Sequence, residues 1–352
     1  MYRQIYLLFA FFLLLGSNVY SQASISVFQD NLTTPNPMIT DGNDLYIGYY
    51  YSDKVVKFDL TNPNTSPVDI ATGVNRPYGL AIKDNQLYIS EFGGNKISKI
   101  DLSNTGIAPE TVISNIDSPI GLEFIGNELY VALEGENRVI KIDVTQASPL
   151  PTTVTNASSP FEIEFVGDQL YISERFEGRI VRFDMNNSSA TSEVVAQGLS
   201  YPSGLASHGK QLYIAEAGAS KISKISTSVT NPTVSDAVTS SLLSYPSGLL
   251  MHNNMMYITD FFANAVYKVD LATLSVSELN ATGSKSLKVY PNPATDKLNV
   301  YNSNSKEYKI FDMTGRVVNS GILERNSINV NHLSSGNYIL KTGEATTKFI
   351  KK

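Results

Sequence analysis

Pro77-Tyr-Gly-Leu-Ala-Ile82, Gln86-Leu-Tyr-Ile-Ser90, Lys96-Ile-Ser-Lys-Ile-Asp101 and Glu110-Thr-Val-Ile-Ser114 follow one another in a single stretch of chain. Each run is short, rich in β-branched and aromatic residues, and punctuated by polar turns, which is the signature of strands. Asp84-Asn85 separates the first two runs. Both residues tolerate positive φ, as a two-residue hairpin requires. The stretch therefore predicts four antiparallel strands joined by short loops.

The unit recurs. Leu-Tyr-Ile and close variants place Tyr at 46, 88, 130, 171, 213 and 257. Eleven residues before each stands Pro35, Pro77, Pro119, Pro160, Pro202 or Pro246; eleven after stands Lys57, Lys99, Lys141, Arg182, Lys224 or Lys268. Gly42-Asn43, Gly126-Asn127, Gly167-Asp168, Gly209-Lys210 and Asn253-Asn254 repeat the turn signal. Helical periodicity is absent. Four strands in some 42 residues make a propeller blade, and the repeat number gives the blade number. The fold expected is all-β: a six-bladed β-propeller over residues 22–282, followed by a small immunoglobulin-like β-sandwich. Ser24-Ile-Ser-Val-Phe28 aligns with the fourth strand of other repeats, so it is expected to complete the last blade, with Ser275-Val-Ser-Glu-Leu279 as the rival.

The run of Pro-x-Gly-Leu, Leu-Tyr-Ile, an acid and Lys/Arg-Ile resembles NHL-type repeats and the six-bladed propellers that include SMP-30/gluconolactonase-like proteins. The resemblance covers roughly residues 24–271. It implies a fold far more than an activity.

Two further segments concern export. Met1-Tyr-Arg3, an apolar run from Ile5 to Leu15 and a polar end at Ser21-Gln22 describe a cleavable signal peptide, residues 1–21. The run is too short to span a bilayer, which takes about 20 apolar residues, so no transmembrane segment is expected in the mature chain. After a linker at 283–286, residues 287–352 hold Tyr290-Pro-Asn-Pro293, Asp312-Met-Thr-Gly-Arg316, Leu333-Ser-Ser-Gly-Asn-Tyr338 and a basic end. This order resembles the C-terminal sorting domain of the type IX secretion system of Bacteroidetes. The resemblance implies that the segment is read by the outer-membrane translocon, carrying the protein to the cell surface or the medium. Tyr290, Pro291, Asn292, Pro293, Gly315 and Gly336 are then the recognition-pattern positions.

Composition narrows the chemistry. There is no Cys, which excludes disulfides, Cys-zinc sites and Cys nucleophiles. Residues 287–352 carry 10 Lys+Arg against 5 Asp+Glu, so with a net charge of −6 for the chain the rest carries −11. An acidic body argues against nucleic acid as a partner. No phosphate loop, zinc-spaced His pair or EF-hand pattern is present.

Antiparallel order puts the Pro-x-Gly segments and the loops after Leu-Tyr-Ile on one rim, the side on which loop residues usually bind. Three residues after each repeat Tyr stand Tyr49, Glu91, Leu133, Glu174, Glu216 and Asp260. In repeats 2, 4 and 5 the acid faces a base five residues on (Lys96, Arg179, Lys221), an arrangement read as loop capping or structural pairing, with a Ca²⁺- or Mg²⁺-binding ring as the alternative. Residues that break the symmetry are better candidates for a site. Glu162 replaces Gly after Pro160, and Glu123 and Glu164 recur only on blades 3 and 4. These three carboxyls near the channel are the candidates for acid–base or cation chemistry. Tyr78, Ile120 and Phe161 add an apolar sector, and Tyr49-Tyr50-Tyr51 with Phe261-Phe262 an aromatic one. His208 and His252 fall at far-face turns and His332 in the tail, so the rim lacks an imidazole base. The metal set of the lactonases (one Glu, two Asn and an Asp) does not map: the innermost strands supply Glu123 and Glu164 and, on this reading, no Asn. The expectation is a binding protein without a resident cofactor whose ligand is a protein or a glycan; the alternative is a metal-assisted hydrolase, lactonase or lyase.

Overall fold

Leu-Tyr-Ile decides how the sheets stack. In a strand, successive side chains point to opposite faces, so Tyr faces one way while Leu and Ile face the other. The computed structural model describes residues 25–187, 191–272, 287–303, 305–312, 316–323, 326–343 and 345–352. Residues 23–274 and 275–352 form two separate units.

The first unit holds six four-stranded antiparallel sheets. The second sheet is Pro77–Lys83, Gln86–Glu91, Lys96–Asp101 and Glu110–Ser114, and the others repeat it. These sheets resemble propeller blades. Tyr46 packs with Leu87 and Ile89, Tyr88 with Leu129 and Val131, and Tyr130 with Leu170 and Ile172. Tyr171 packs with Leu212 and Ile214, and Tyr213 with Met256 and Ile258. Tyr257 then meets Leu45 and Ile47 of the first sheet. Six sheets thus share six apolar interfaces, and the last joins the sixth sheet to the first. Each fully buried Leu or Ile contributes about 1.5–3 kcal/mol relative to exposure.

The sixth sheet is made from both ends of the unit. Ile25–Gln29 is its outer strand, antiparallel to Ala265–Asp270, with Ile25 opposite Val269. The rival strand at 275–279 lies outside the described residues, as do the expected signal peptide and linker.

The innermost strands are Pro35–Asp41, Pro77–Lys83, Pro119–Ile125, Pro160–Val166, Pro202–His208 and Pro246–His252. Each touches the next, and the sixth touches the first. Glycine permits the closest approaches. A Cβ on Gly79 would lie 2.1 Å from the Ile120 carbonyl oxygen, and one on Gly248 would lie 2.4 Å from that of Asn36. Hydroxyls bridge the same joints: Ser90 donates to Ile120 O at 2.7 Å, Ser173 to Ser203 O at 2.9 Å, and Thr259 to Asn36 O at 2.8 Å.

The second unit has a three-stranded sheet, with Lys297–Tyr301 between Lys288–Tyr290 and Ser327–Asn329. Its four-stranded sheet runs Val317–Ile322, Glu307–Asp312, Gly336–Thr342, Ala345–Lys351. Leu298, Val300 and Ile328 of one and Ile310, Leu340 and Phe349 of the other share one core.

Candidate functional site: an aromatic mouth over an acid-lined channel

The residue three after each repeat Tyr ends the second strand with its side chain turned inward. Glu91, Glu174, Glu216 and Asp260, placed on the rim by sequence and read there as loop caps or ion pairs, are buried and cap the loops. Glu91 accepts from the Asn75 N–H at 2.8 Å, Glu174 from Ser158 at 2.6 Å and Glu216 from Ser200 at 2.8 Å. Asp260 takes three such donors, from Ser244, Tyr245 and Ala263. Lys96, Arg179 and Lys221 complete the pairs with Glu91, Glu174 and Glu216. In the third sheet Leu133 holds this position, and Glu136 supplies the missing cap by accepting from Asp117 N–H at 2.9 Å. These contacts fit the loop-capping reading and not a ring of ligand-facing acids: a carboxylate already bound to two or three donors inside the fold is closed to a ligand. Tyr49 and Ile120 are likewise core residues, 5% and 2% exposed, and not rim surface.

The mouth is formed one and two residues further along, where the loops differ between repeats. Four after each Tyr stand Tyr50, Phe92, Glu134, Arg175, Ala217 and Phe261. Tyr50 packs edge-on against Tyr78 at 5.1 Å and Phe261 at 5.7 Å between ring centres. Tyr78 meets Phe92 at 5.6 Å and Phe161 at 5.1 Å. Tyr245 touches Phe262 at 4.7 Å. The two aromatic runs do converge, since Tyr51 and Phe261 lie 5.9 Å apart. Tyr78 and Phe161 join them, with Phe161 almost buried. Outside this packed set project Tyr51, Phe176, Phe262 and Tyr201, each roughly half exposed or more.

Arg175 sits among these rings. Its guanidinium lies 4.3 Å from the centre of Phe161 and about 6 Å from Tyr201 and Tyr245. It donates to the Tyr245 hydroxyl and hydrogen-bonds Tyr78. Burial pushes the Tyr78 phenol up to about 12, against the opposing pull of Arg175. Arg76 lies over Tyr50 at 5.7 Å. Arg175, Arg76, Phe92, Phe176, Tyr201 and Tyr245 were not singled out by sequence; alignment of the loop one and two residues past the repeat acid would have found Arg175, Phe92 and Phe176.

Beneath the mouth a cavity of about 330 Å³ runs between the innermost strands, lined by Asn36, Tyr78, Phe161 and the three glutamates. Glu123 reaches sideways to accept from the Phe165 N–H at 3.0 Å, and Glu164 repeats the contact one sheet on with Ser207 at 2.8 Å. Glu162 accepts from Ile163 at 3.2 Å, its carboxyl resting against Gly121. Burial raises all three above the ordinary carboxylate value of 4.5, and Glu164 raises the other two further by repulsion. Glu123 reaches about 9 and Glu162 about 8. The structure thus places the three around one channel but aims each carboxyl at backbone. Among the described residues no three Asp, Glu or His side chains cluster as metal ligands. One correction belongs here: the innermost strands do supply an Asn, because Asn36 lines the cavity, its amide nitrogen buried without an acceptor. His208 and His252 end their strands at the opposite side of the ring.

In the tail, Asn292 ties its turn to the last strand, accepting from Ile350 N–H at 2.9 Å. Tyr290 is exposed, Pro291 and Pro293 frame the turn, and Gly336 opens a strand beside the Tyr338 ring. Gly315 lies outside the described residues.

Residues 288–352 match the family model of a secretion system C-terminal sorting domain. This is a type IX sorting tail, so the protein is exported through that machinery to the cell surface or the medium. No curated protein matches the chain. Solved structures that resemble it are β-propellers. A nidogen/laminin complex chain is 19% identical, covering 63% of this chain and 88% of that one, with a TM-score of 0.55. Virginiamycin B lyase from Staphylococcus aureus is 15% identical over 71% of this chain and 99% of its own, at 0.52. A luciferin-regenerating enzyme is 11% identical over 70% and 95%, at 0.56. At these identities the likeness concerns fold alone.

Proposed function

We propose that this exported chain is a six-bladed propeller that binds a protein or a glycan at its aromatic mouth. One observation carries the reading: Tyr51, Phe176, Tyr201 and Phe262 stand exposed around a packed aromatic cluster on a single rim. Soluble proteins rarely leave such a patch open without an interaction to serve. Residues 1–21 are the Sec signal peptide, 22–282 the propeller, 283–286 a linker and 287–352 an immunoglobulin-like sandwich read by the type IX translocon. The solved relatives include lyases, but the histidines of this propeller stand away from the mouth, and no lyase chemistry is assigned to it. The test is binding of the full chain to a glycan array and to secreted proteins, in wild type and in Tyr51→Ala/Phe262→Ala. Binding that the double variant loses while melting normally supports the mouth; binding that it retains refutes it.

The raised carboxyls Glu123, Glu162 and Glu164 favour a second reading, acid–base chemistry in the channel with Ca²⁺ or Mg²⁺ assistance. Turnover of a lactone that Glu123→Gln abolishes would establish it. The absence of both turnover and any Ca²⁺-dependent rise in melting temperature removes it.

A further inference from the structure

The propeller unit describes five arginines, and three have carboxylate partners: Arg138 with Glu136, Arg179 with Glu174, Arg182 with Glu193. Among the described residues Arg175 and Arg76 have none within ion-pairing distance. Both lie on aromatic rings, and both belong to the mouth. A guanidinium held on aromatic faces keeps its charge and its planar donor fork, yet the rings satisfy few of its N–H groups. The Nε–H of Arg175 is buried without an acceptor. Elsewhere the fold supplies acids freely, at each loop cap and along the channel.

We infer that the mouth docks a protein partner that presents an Asp or Glu side chain, set in an apolar stretch, to the Arg175 guanidinium. The inference rests on the mouth reading above and adds the chemistry of the occupant. A carboxylate fits the guanidinium fork and completes its hydrogen bonds. Around it, the exposed rings supply the aromatic surface that excludes water from such a pair, and aromatic residues with a central Arg are the usual composition of a protein hot spot. The cluster favours protein over glycan for a geometric reason. Its rings meet edge to face, so many faces that a sugar would stack on are covered by neighbouring edges. The charge balance also favours one acid over a polyanion. Outside the tail the chain carries −11, which repels a polyanion everywhere except this spot.

The probe is a library of random dodecapeptides displayed on phage, panned against the immobilised full chain. Enriched peptides should carry Asp or Glu beside aromatic or aliphatic residues. As synthetic peptides they should lose at least about thirtyfold in affinity when that acid becomes its amide, or when the protein carries Arg175→Gln. Arg175→Lys, which keeps the charge and the fold but not the planar fork, should recover only part. Enrichment of neutral or basic peptides, or equal binding to Arg175→Gln, overturns the inference and leaves the mouth reading standing if Tyr51→Ala/Phe262→Ala still abolishes capture. Acidic peptides indifferent to Tyr51→Ala/Phe262→Ala overturn both. Binding of glycans with no peptide enriched overturns the inference alone.

Discussion

The side-chain oxygen of Asn264 accepts a hydrogen bond from the Thr34 N–H at 2.9 Å, although the two residues lie 230 apart in sequence. The same bond joins neighbours elsewhere: Asp53 to Arg76 N–H, Asn95 to Ser118 and Asn137 to Ser159. Each acceptor stands seven residues after its repeat Tyr with positive φ, which Asn and Asp tolerate best. The joint between sixth and first sheets is therefore built like the covalently continuous ones.

Asn264→Val should cost about 2–3 kcal/mol, combining a lost hydrogen bond with a β-branched residue at positive φ. Asn264→Gly, which loses only the bond, should cost about 1 kcal/mol. Urea unfolding of the two variants separates the terms. Equal losses would mean that backbone strain has no part.

Gly248→Ala and Gly79→Ala should each destabilise by more than about 3 kcal/mol, since the new methyl collides with a backbone oxygen of the adjacent sheet. Gly42→Asn, at an open turn with a φ that Asn accepts, should stay within about 0.5 kcal/mol of wild type. Thermal melts would check the contrast.

Stability should fall as pH rises above 4.5, the part due to the channel being lost through about 8 and 9. Glu123 and Glu162 stay protonated in the fold where the unfolded chain has ionised, and Glu164 is shifted in the same direction, so the native state holds more protons in that window. Glu123→Gln keeps an acceptor for Phe165 N–H and should flatten the decline. An unchanged slope in denaturant midpoint between pH 5 and 9 would contradict it.

Asp260→Ala should be the most damaging change among the loop acids, about 3 kcal/mol or more, because three backbone donors lose their acceptor together. Glu136→Ala should cost about 1–2 kcal/mol, as expected of the replacement cap beside Leu133.

Deleting residues 287–352 should hold the protein in the periplasm, tested by fractionation and immunoblot. Arrival of the truncated chain in the medium would show another export route.

The fold was legible because the repeat markers are interface residues. Tyr88 and its equivalents must fill the same gap six times, so the chain must keep them. The hairpin turns were equally readable, with Asp84-Asn85 and Asn253-Asn254 both at positive φ. The mouth was harder to see. Glu91 and Asp260 recur because loops need caps, which makes them conspicuous for a structural reason. Arg175, Phe92 and Phe261 occupy a position that holds Tyr, Phe, Glu, Arg, Ala and Phe in turn, so it offers no uniform repeat marker. Their convergence depends on the circular arrangement, which brings together side chains far apart in sequence.

The outer strand of the sixth sheet, Ile25–Gln29, precedes every other described strand of the unit in sequence, and its partner Ala265–Asp270 is the last of them. A chain that folds from its N-terminus would leave that leading strand with a bare edge until its partner arrives, open to mispairing in the interval. The unit therefore reaches its final shape in one late step, after which the leading strand has no unpaired neighbour left to seek.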